Sequence, residues 1–136
     1  FSPNAKDAKG VPLLSHAVRN RHRSFLPLLI SIGADINAVS GDRGNTALMD
    51  ACADGDEDIV RDLLAAGALV DIKSKNGQTA LILAVGKGNT NIASLLIASG
   101  ADPEVTDNLG MSARKYAQLF NLIEVVRLID ASSSKA

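Results

Sequence analysis

The side chains able to do chemistry are few. The chain of 136 residues carries two histidines, His16 and His22, and one thiol, Cys52. A cysteine beside a histidine can become a thiolate nucleophile, but Cys52 follows His16 by 36 residues. It also shares a repeat position with Val18, Val85 and Gln118, so it reads as a small buried hydrophobe. The run Asp54-Gly55-Asp56-Glu57-Asp58 offers oxygen ligands. It lacks the spaced ligand set and distal bidentate glutamate of a calcium loop. Gly10, Gly44, Gly77 and Gly110 are spaced for turns and do not form a phosphate cradle. The expectation is no enzyme, no metal and no cofactor.

Charge offers more. Residues 1–37 carry five Lys/Arg against two Asp, residues 38–71 two against eight acids, and the remaining stretches balance at +1 each. Arg19-Asn20-Arg21-His22-Arg23 lies one repeat before Asp54-Gly55-Asp56-Glu57-Asp58. A shift of 34 sets Asn20 over Asp54, His22 over Asp56 and Arg23 over Glu57, and one further repeat brings Lys87 beside Asp54. The preferred reading is a ladder of opposite charges between repeats, each exposed pair contributing about 0–1 kcal/mol and screened by salt. The competing reading makes Asp50, Asp54 and Asp56 an acidic patch for a basic peptide, with the Asp50 carboxylate solvated. The net charge of −1 and 3% aromatic content argue against nucleic acid as the partner. No apolar run reaches 18 residues, so no membrane insertion is expected. The lone thiol fits a reducing compartment, cytoplasmic or nuclear. The first residues lack the apolar core of a signal peptide, and the absence of an initial Met suggests a piece of something longer.

The elements that must position these residues repeat. The turn glycines at 10, 44, 77 and 110 are separated by 34, 33 and 33 residues, and the Gly-Ala pairs at 33, 67 and 100 by 34 and 33. Such a period implies a solenoid of stacked units. Thr46, Thr79 and Ser112 stand where a hydroxyl can cap a first helix, over roughly 46–54, 79–87 and 112–120. Gly55, Gly88 and Asn121 suit its left-handed end. Second helices with an apolar stripe follow near 24–32, 58–66, 91–99 and 122–130. Helices this short are unstable alone, so each pair needs its neighbours. The first unit begins Pro12-Leu13-Leu14 and lacks the hydroxyl cap. One extra residue within 38–43 lengthens the hairpin of the second unit.

Gly-x-Thr-Ala-Leu-x-x-Ala, then Gly, then Leu-Leu-x-x-Gly-Ala-Asp, at 33-residue spacing over residues 7–131, resembles the ankyrin repeat family. The resemblance implies an all-α repeat solenoid of stacked helix-turn-helix units with projecting β-hairpin loops. It divides the chain into an extension (1–6), units at about 7–39, 40–73, 74–106 and 107–131, and a tail (132–136). The family's Thr-Pro-Leu-His is nowhere intact; Ser15, Met49, Ile82 and Lys115 stand at its histidine position. Arg114 replaces a usual core leucine, which suits a terminal unit facing water.

The family implies a protein or peptide partner, met by a monomer through hairpin tips and the concave first-helix face. The residues expected there are Asp42, Arg43, Asn45, Asp50, Asp54, Lys75, Asn76, Gln78, Lys87, Leu109 and Met111. Leu109 and Met111 stand out as apolar tips, alongside Val11, and Phe120 is expected to cover the terminal unit. The alternative is a regulatory or targeting module docking on a catalytic domain of a longer protein. Leu29 with Asp35-Ile36-Asn37 resembles the motif of a 2-oxoglutarate-dependent asparaginyl hydroxylase, with Asn37 as acceptor. The plainer expectation is an Asn37 that hydrogen-bonds locally.

Overall fold

The structure is a computed structural model describing residues 2–133. Phe1 and residues 134–136, the ends of the expected extension and tail, lie outside the described residues. Among the described residues eight helices follow in order: α1 (Leu13–Arg19), α2 (Phe25–Ser31), α3 (Ala47–Asp54), α4 (Glu57–Ala65), α5 (Ala80–Gly86), α6 (Thr90–Ala98), α7 (Ala113–Leu119) and α8 (Ile123–Ser133). Helices α1, α3, α5 and α7 stack in one layer, and α4, α6 and α8 stack behind them. This is an all-α repeat solenoid.

Local chemistry explains the boundaries. Thr46, Thr79 and Ser112 accept from the amides of Met49, Ile82 and Lys115, each filling an orphan donor of a first helix. Pro12 begins α1 with no side-chain cap. Asp56 and Asn89 cap the second helices through the amides of Ile59 and Ile92, a role not read from the sequence. Gly55, Gly88 and Asn121 take the left-handed conformation, and so does Arg21 at the equivalent place in the first unit, with φ 57°. A β-carbon there costs roughly 1–2 kcal/mol.

The core is continuous along the array. Leu48, Ile59, Leu63, Leu81, Ile92, Leu96 and Ile129 are buried, each from a helix too short to bury it without a neighbouring pair. Cys52 lies in this core, fully buried.

The hairpins are turns more than strands. Among the described residues the only β-pairs are isolated bridges, Lys6 with Pro12 and Thr106 with Ser112. Each turn closes through the amide of its first residue, from Asp7 to Val11, Ser74 to Gln78 and Asp107 to Met111, whereas Ser40 donates to Asn45, one residue further. That is the extra residue expected within 38–43. Neighbouring turns bond through the amides of Gly41, Lys75 and Asn108, which donate to the carbonyls of Gly10, Arg43 and Asn76. The approach is close: a β-carbon on Gly41 would lie 2.4 Å from the Lys9 carbonyl oxygen. Asn4 to Lys6 already join the first unit, since the Ala5 carbonyl accepts from Leu13 and the Asn4 Oδ1 from Asp35. At the other end α8 runs on into Ser132 and Ser133.

Candidate functional site

The charge ladder exists, displaced from its expected register. Arg21 grips Asp54 with Nε and Nη2 at 2.9 and 3.1 Å. Arg23 holds both oxygens of Asp56, at 3.2 and 2.9 Å, and reaches Asp58 at 3.1 Å. The partners are 33 and 35 residues apart, whereas equivalent backbone positions in these units are 34 apart. A long guanidinium therefore reaches past the residue directly opposite. The expected pairing of Asn20 with Asp54, His22 with Asp56 and Arg23 with Glu57 is corrected accordingly. Lys87 makes no ion pair among the described residues.

Asp50 is the largest departure. Its side chain is 2% exposed, so no solvated carboxylate is offered to a partner. Arg19 Nε donates to Oδ2 at 3.0 Å and Asn45 Nδ2 donates to Oδ1 at 2.9 Å. Arg19 also holds Asp42 at 2.8 and 3.1 Å and Ser40 at 3.2 Å. The Arg19 hydrogen bond holds the Asp42 carboxyl well below the usual carboxylate range, with Ser40 assisting. Asp42, through its bond to Arg19, in turn raises the guanidinium. Asp50, Asn45 and Arg19 thus tie units one and two together. Arg43 stands 62% exposed with a loose approach of 3.8 Å to Asp50. Asp42, Asp50, Asp54, Asp56 and Asp58 are thus paired with Arg19, Arg21 and Arg23, which offset part of the acidic charge of unit two.

Across the first-helix layer the open chemistry is apolar and cationic. A groove of about 300 Å³ runs over three units, and its lining includes Ile82, Leu83, Tyr116 and Phe120. Ala53, Gln78 and Lys87 also line it. Tyr116 and Phe120 stack with centroids 5.9 Å apart, and Phe120 stays 49% exposed. The Tyr116 hydroxyl donates to Asp107 Oδ2 at 2.5 Å. Burial pushes Asp107 up, but that hydroxyl and the Met111 and Leu109 amides outweigh it and lower its pKa. Phe120, expected to cover the terminal unit, stacks on Tyr116 there and also lines this groove. Tyr116 and Leu83 are the surface residues the sequence reading lacked, although Tyr116 and Phe120 at i, i+4 are a visible signal.

The remaining expected residues divide. Leu109 is 83% exposed at its tip, whereas Met111 is half-buried and Val11 fully buried. Lys75 donates to the Gly41 carbonyl, and Asn76 is exposed with its carbonyl accepting from Asn108. Asn37 Oδ1 accepts from the Leu69 amide at 2.8 Å, the same link that Asn4 and Asp71 make to Asp35 and Asp102. It is a tether between units.

Among the described residues neither the thiol nor the histidines form a nucleophile–base pair. Burial pushes the Cys52 thiol up to about 12, leaving it protonated at neutral pH. His16 Nε2 meets Asp7 Oδ2 at 2.7 Å, with no described nucleophile joined to the pair.

Comparison with known proteins agrees with the architecture. A family model described as ankyrin repeats (3 copies) matches residues 1–74 and 48–135. A Treponema pallidum (strain Nichols) protein described as ankyrin repeat-containing is 46% identical over 121 residues, covering 89% of this chain. The match spans 41% of that relative, less than half its length. No helix among the described residues is long and apolar enough to cross a membrane. Ankyrin repeats generally serve as protein-interaction modules, and with its capped helix pairs, stacked turns and matched model this chain belongs to the ankyrin repeat family.

Proposed function

We propose that the chain is a non-catalytic recognition module that binds a protein segment along its first-helix layer. The groove of Ile82, Leu83, Tyr116 and Phe120 takes an apolar side chain, and Lys87 and Arg43 face acidic groups beside it. The observation that carries this reading is the open, aromatic-walled groove next to a lysine without an ion pair among the described residues. Aromatic anchors in such settings carry a disproportionate share of binding energy. The partner's charge is therefore opposite to the one an acidic patch would select. Of the residues expected at the interface, Arg43, Gln78, Lys87 and Leu109 retain that role, while Asp50 and Asn45 support from beneath. Selection from a random peptide library tests it: sequences with a large apolar residue flanked by Asp or Glu should be enriched. Their binding should fall at least tenfold in Phe120→Ala and in Lys87→Glu. Enrichment of basic peptides, or binding indifferent to both changes, would overturn it.

A second reading, a regulatory module docking on another part of a longer protein, is favoured by the extra length of the Treponema pallidum relative. The same groove would then hold a segment in cis, and protease protection of Phe120 and Lys87 in the full-length protein would reveal it. Hydroxylation of Asn37 is a separate proposal from its motif. An unmodified Asn37 peptide in mass spectra of oxygenated native protein would end it, leaving the Leu69 tether as the residue's role.

A further inference from the structure

The two outward surfaces of the array are built differently. Phe25 occupies the repeat position of Ile59, Ile92 and Val125. Those three are at most 1% exposed, whereas Phe25 is 53% exposed. Leu13 is half-buried where Ala47, Ala80 and Ala113 are 1% exposed. Burial is lost at these positions in the first unit alone, so they face backward along the array. Together with His22, Leu28 and Leu29 they line a predominantly apolar hollow of about 310 Å³. The turns repeat the pattern. The amides of Gly41, Lys75 and Asn108 each donate to the preceding turn, while the equivalent amide, that of Ala8, donates to no described residue. At the far end, Arg114 stands at the position of Leu14, Leu48 and Leu81, and bonds Glu104 at 2.6 Å and Asp130 at 2.5 Å.

We propose that the outer face of the first helix pair is a docking surface for another ankyrin-type helix pair, stacked in the register of the three interfaces already present. Phe25 and Leu13 are the apolar contact, and the Ala8 amide donates to a carbonyl of the incoming turn. Asn20, His22 and Ser24 stand where Asp54, Asp56 and Asp58 meet arginines in unit two. The incoming turn therefore meets no acid and does not need the arginines that unit one supplies. Continuity with the existing interfaces favours a helix pair over a second copy of the chain. A head-to-tail copy would cover ion-paired Arg114, which costs desolvation.

The probe is the chain's own third unit, residues 74–106, placed ahead of Asp7 in place of residues 1–6. Its last residue, Thr106, then precedes Asp7 as it precedes Asp107. The extended chain should melt in one transition, several degrees above the 136-residue chain. A second version carries Leu13→Ala and Phe25→Val, which reproduce the face that unit three meets in unit four and remove any misfit of size. Phe25→Ser should lower the melting temperature of the extended chain at least twice as much as that of the original. Two separate transitions, or no gain in both versions, would overturn the proposal. So would equal effects of Phe25→Ser with and without the added unit. Sedimentation of the 136-residue chain as a dimer that Phe25→Ser dissolves would assign the face to a second copy instead, and overturn it too.

Discussion

The first and last units share one backbone and differ in how they meet their surroundings. The last begins with a hydroxyl cap at Ser112, carries Arg114 bridging Glu104 and Asp130, and anchors Tyr116 on Asp107. The first has no hydroxyl cap, buries the Ser15 hydroxyl with no partner among the described residues, and holds Arg21 in a left-handed conformation. It compensates across the interface, where Arg19, Arg21 and Arg23 grip the acids of unit two. A repeat can thus be stabilised from within or from its neighbour, and few positions decide which.

The sharpest way to break that comparison is Asp50→Ala. It leaves Arg19 and Asn45 without their shared buried acceptor and should cost about 2–4 kcal/mol in urea unfolding. A loss below about 0.5 kcal/mol would mean the interface does not depend on this carboxylate. Next comes a pair at one repeat position. Val125→Ser should cost about 1.5–3 kcal/mol for the buried apolar group it removes. Phe25→Ser, on the open face, should cost well under half as much; equal losses would erase the difference between the ends.

Arg21→Gly separates strain from charge. Relief of the left-handed conformation contributes about 1 kcal/mol, against an exposed ion pair that contributes about 0–1 kcal/mol. The variant should be unchanged or slightly more stable, and the gain should grow in high salt, where the pair is screened. A clear loss at high salt would show that the turn is not strained.

The smallest effect is acid sensitivity. The folded pKa values of Asp42 and Asp107 lie below the ordinary value of about 3.9. Their stabilisation is therefore present above that pH and lost as pH falls through the folded values. The melting temperature should be flat from pH 8 to 5 and drop below about pH 4, less steeply in Asp42→Asn. Tyr116 shifts the other way through its bond to Asp107, so its contribution is present below about pH 10 and lost above it. An identical acid limb in Asp42→Asn would show that the Arg19–Asp42 bond adds nothing.

How far the sequence carried can be judged residue by residue. Thr46, Thr79 and Ser112 were readable as caps because capping is local, an oxygen and an amide three residues apart. The longer turn at 40–45 was readable because repeats count residues. Asp50 was not: its burial depends on Arg19, 31 residues earlier, and on Asn45 turning inward beneath it. The ladder was readable in kind but not in register, since an arginine side chain spans more than one backbone position.

Period, caps and turn glycines by themselves determined that four helix pairs form and stack, because each rests on contacts within a unit or on strict repetition. Only the tertiary structure decided what the surface offers. Stacking brought five carboxylates of unit two against the three arginines of unit one and offset part of their charge. It also lined Ile82, Leu83, Tyr116 and Phe120 along one groove and left Phe25 without the neighbour that covers Ile59, Ile92 and Val125. Exposure and pairing depend on which side chains meet across units, and that distance is set in space.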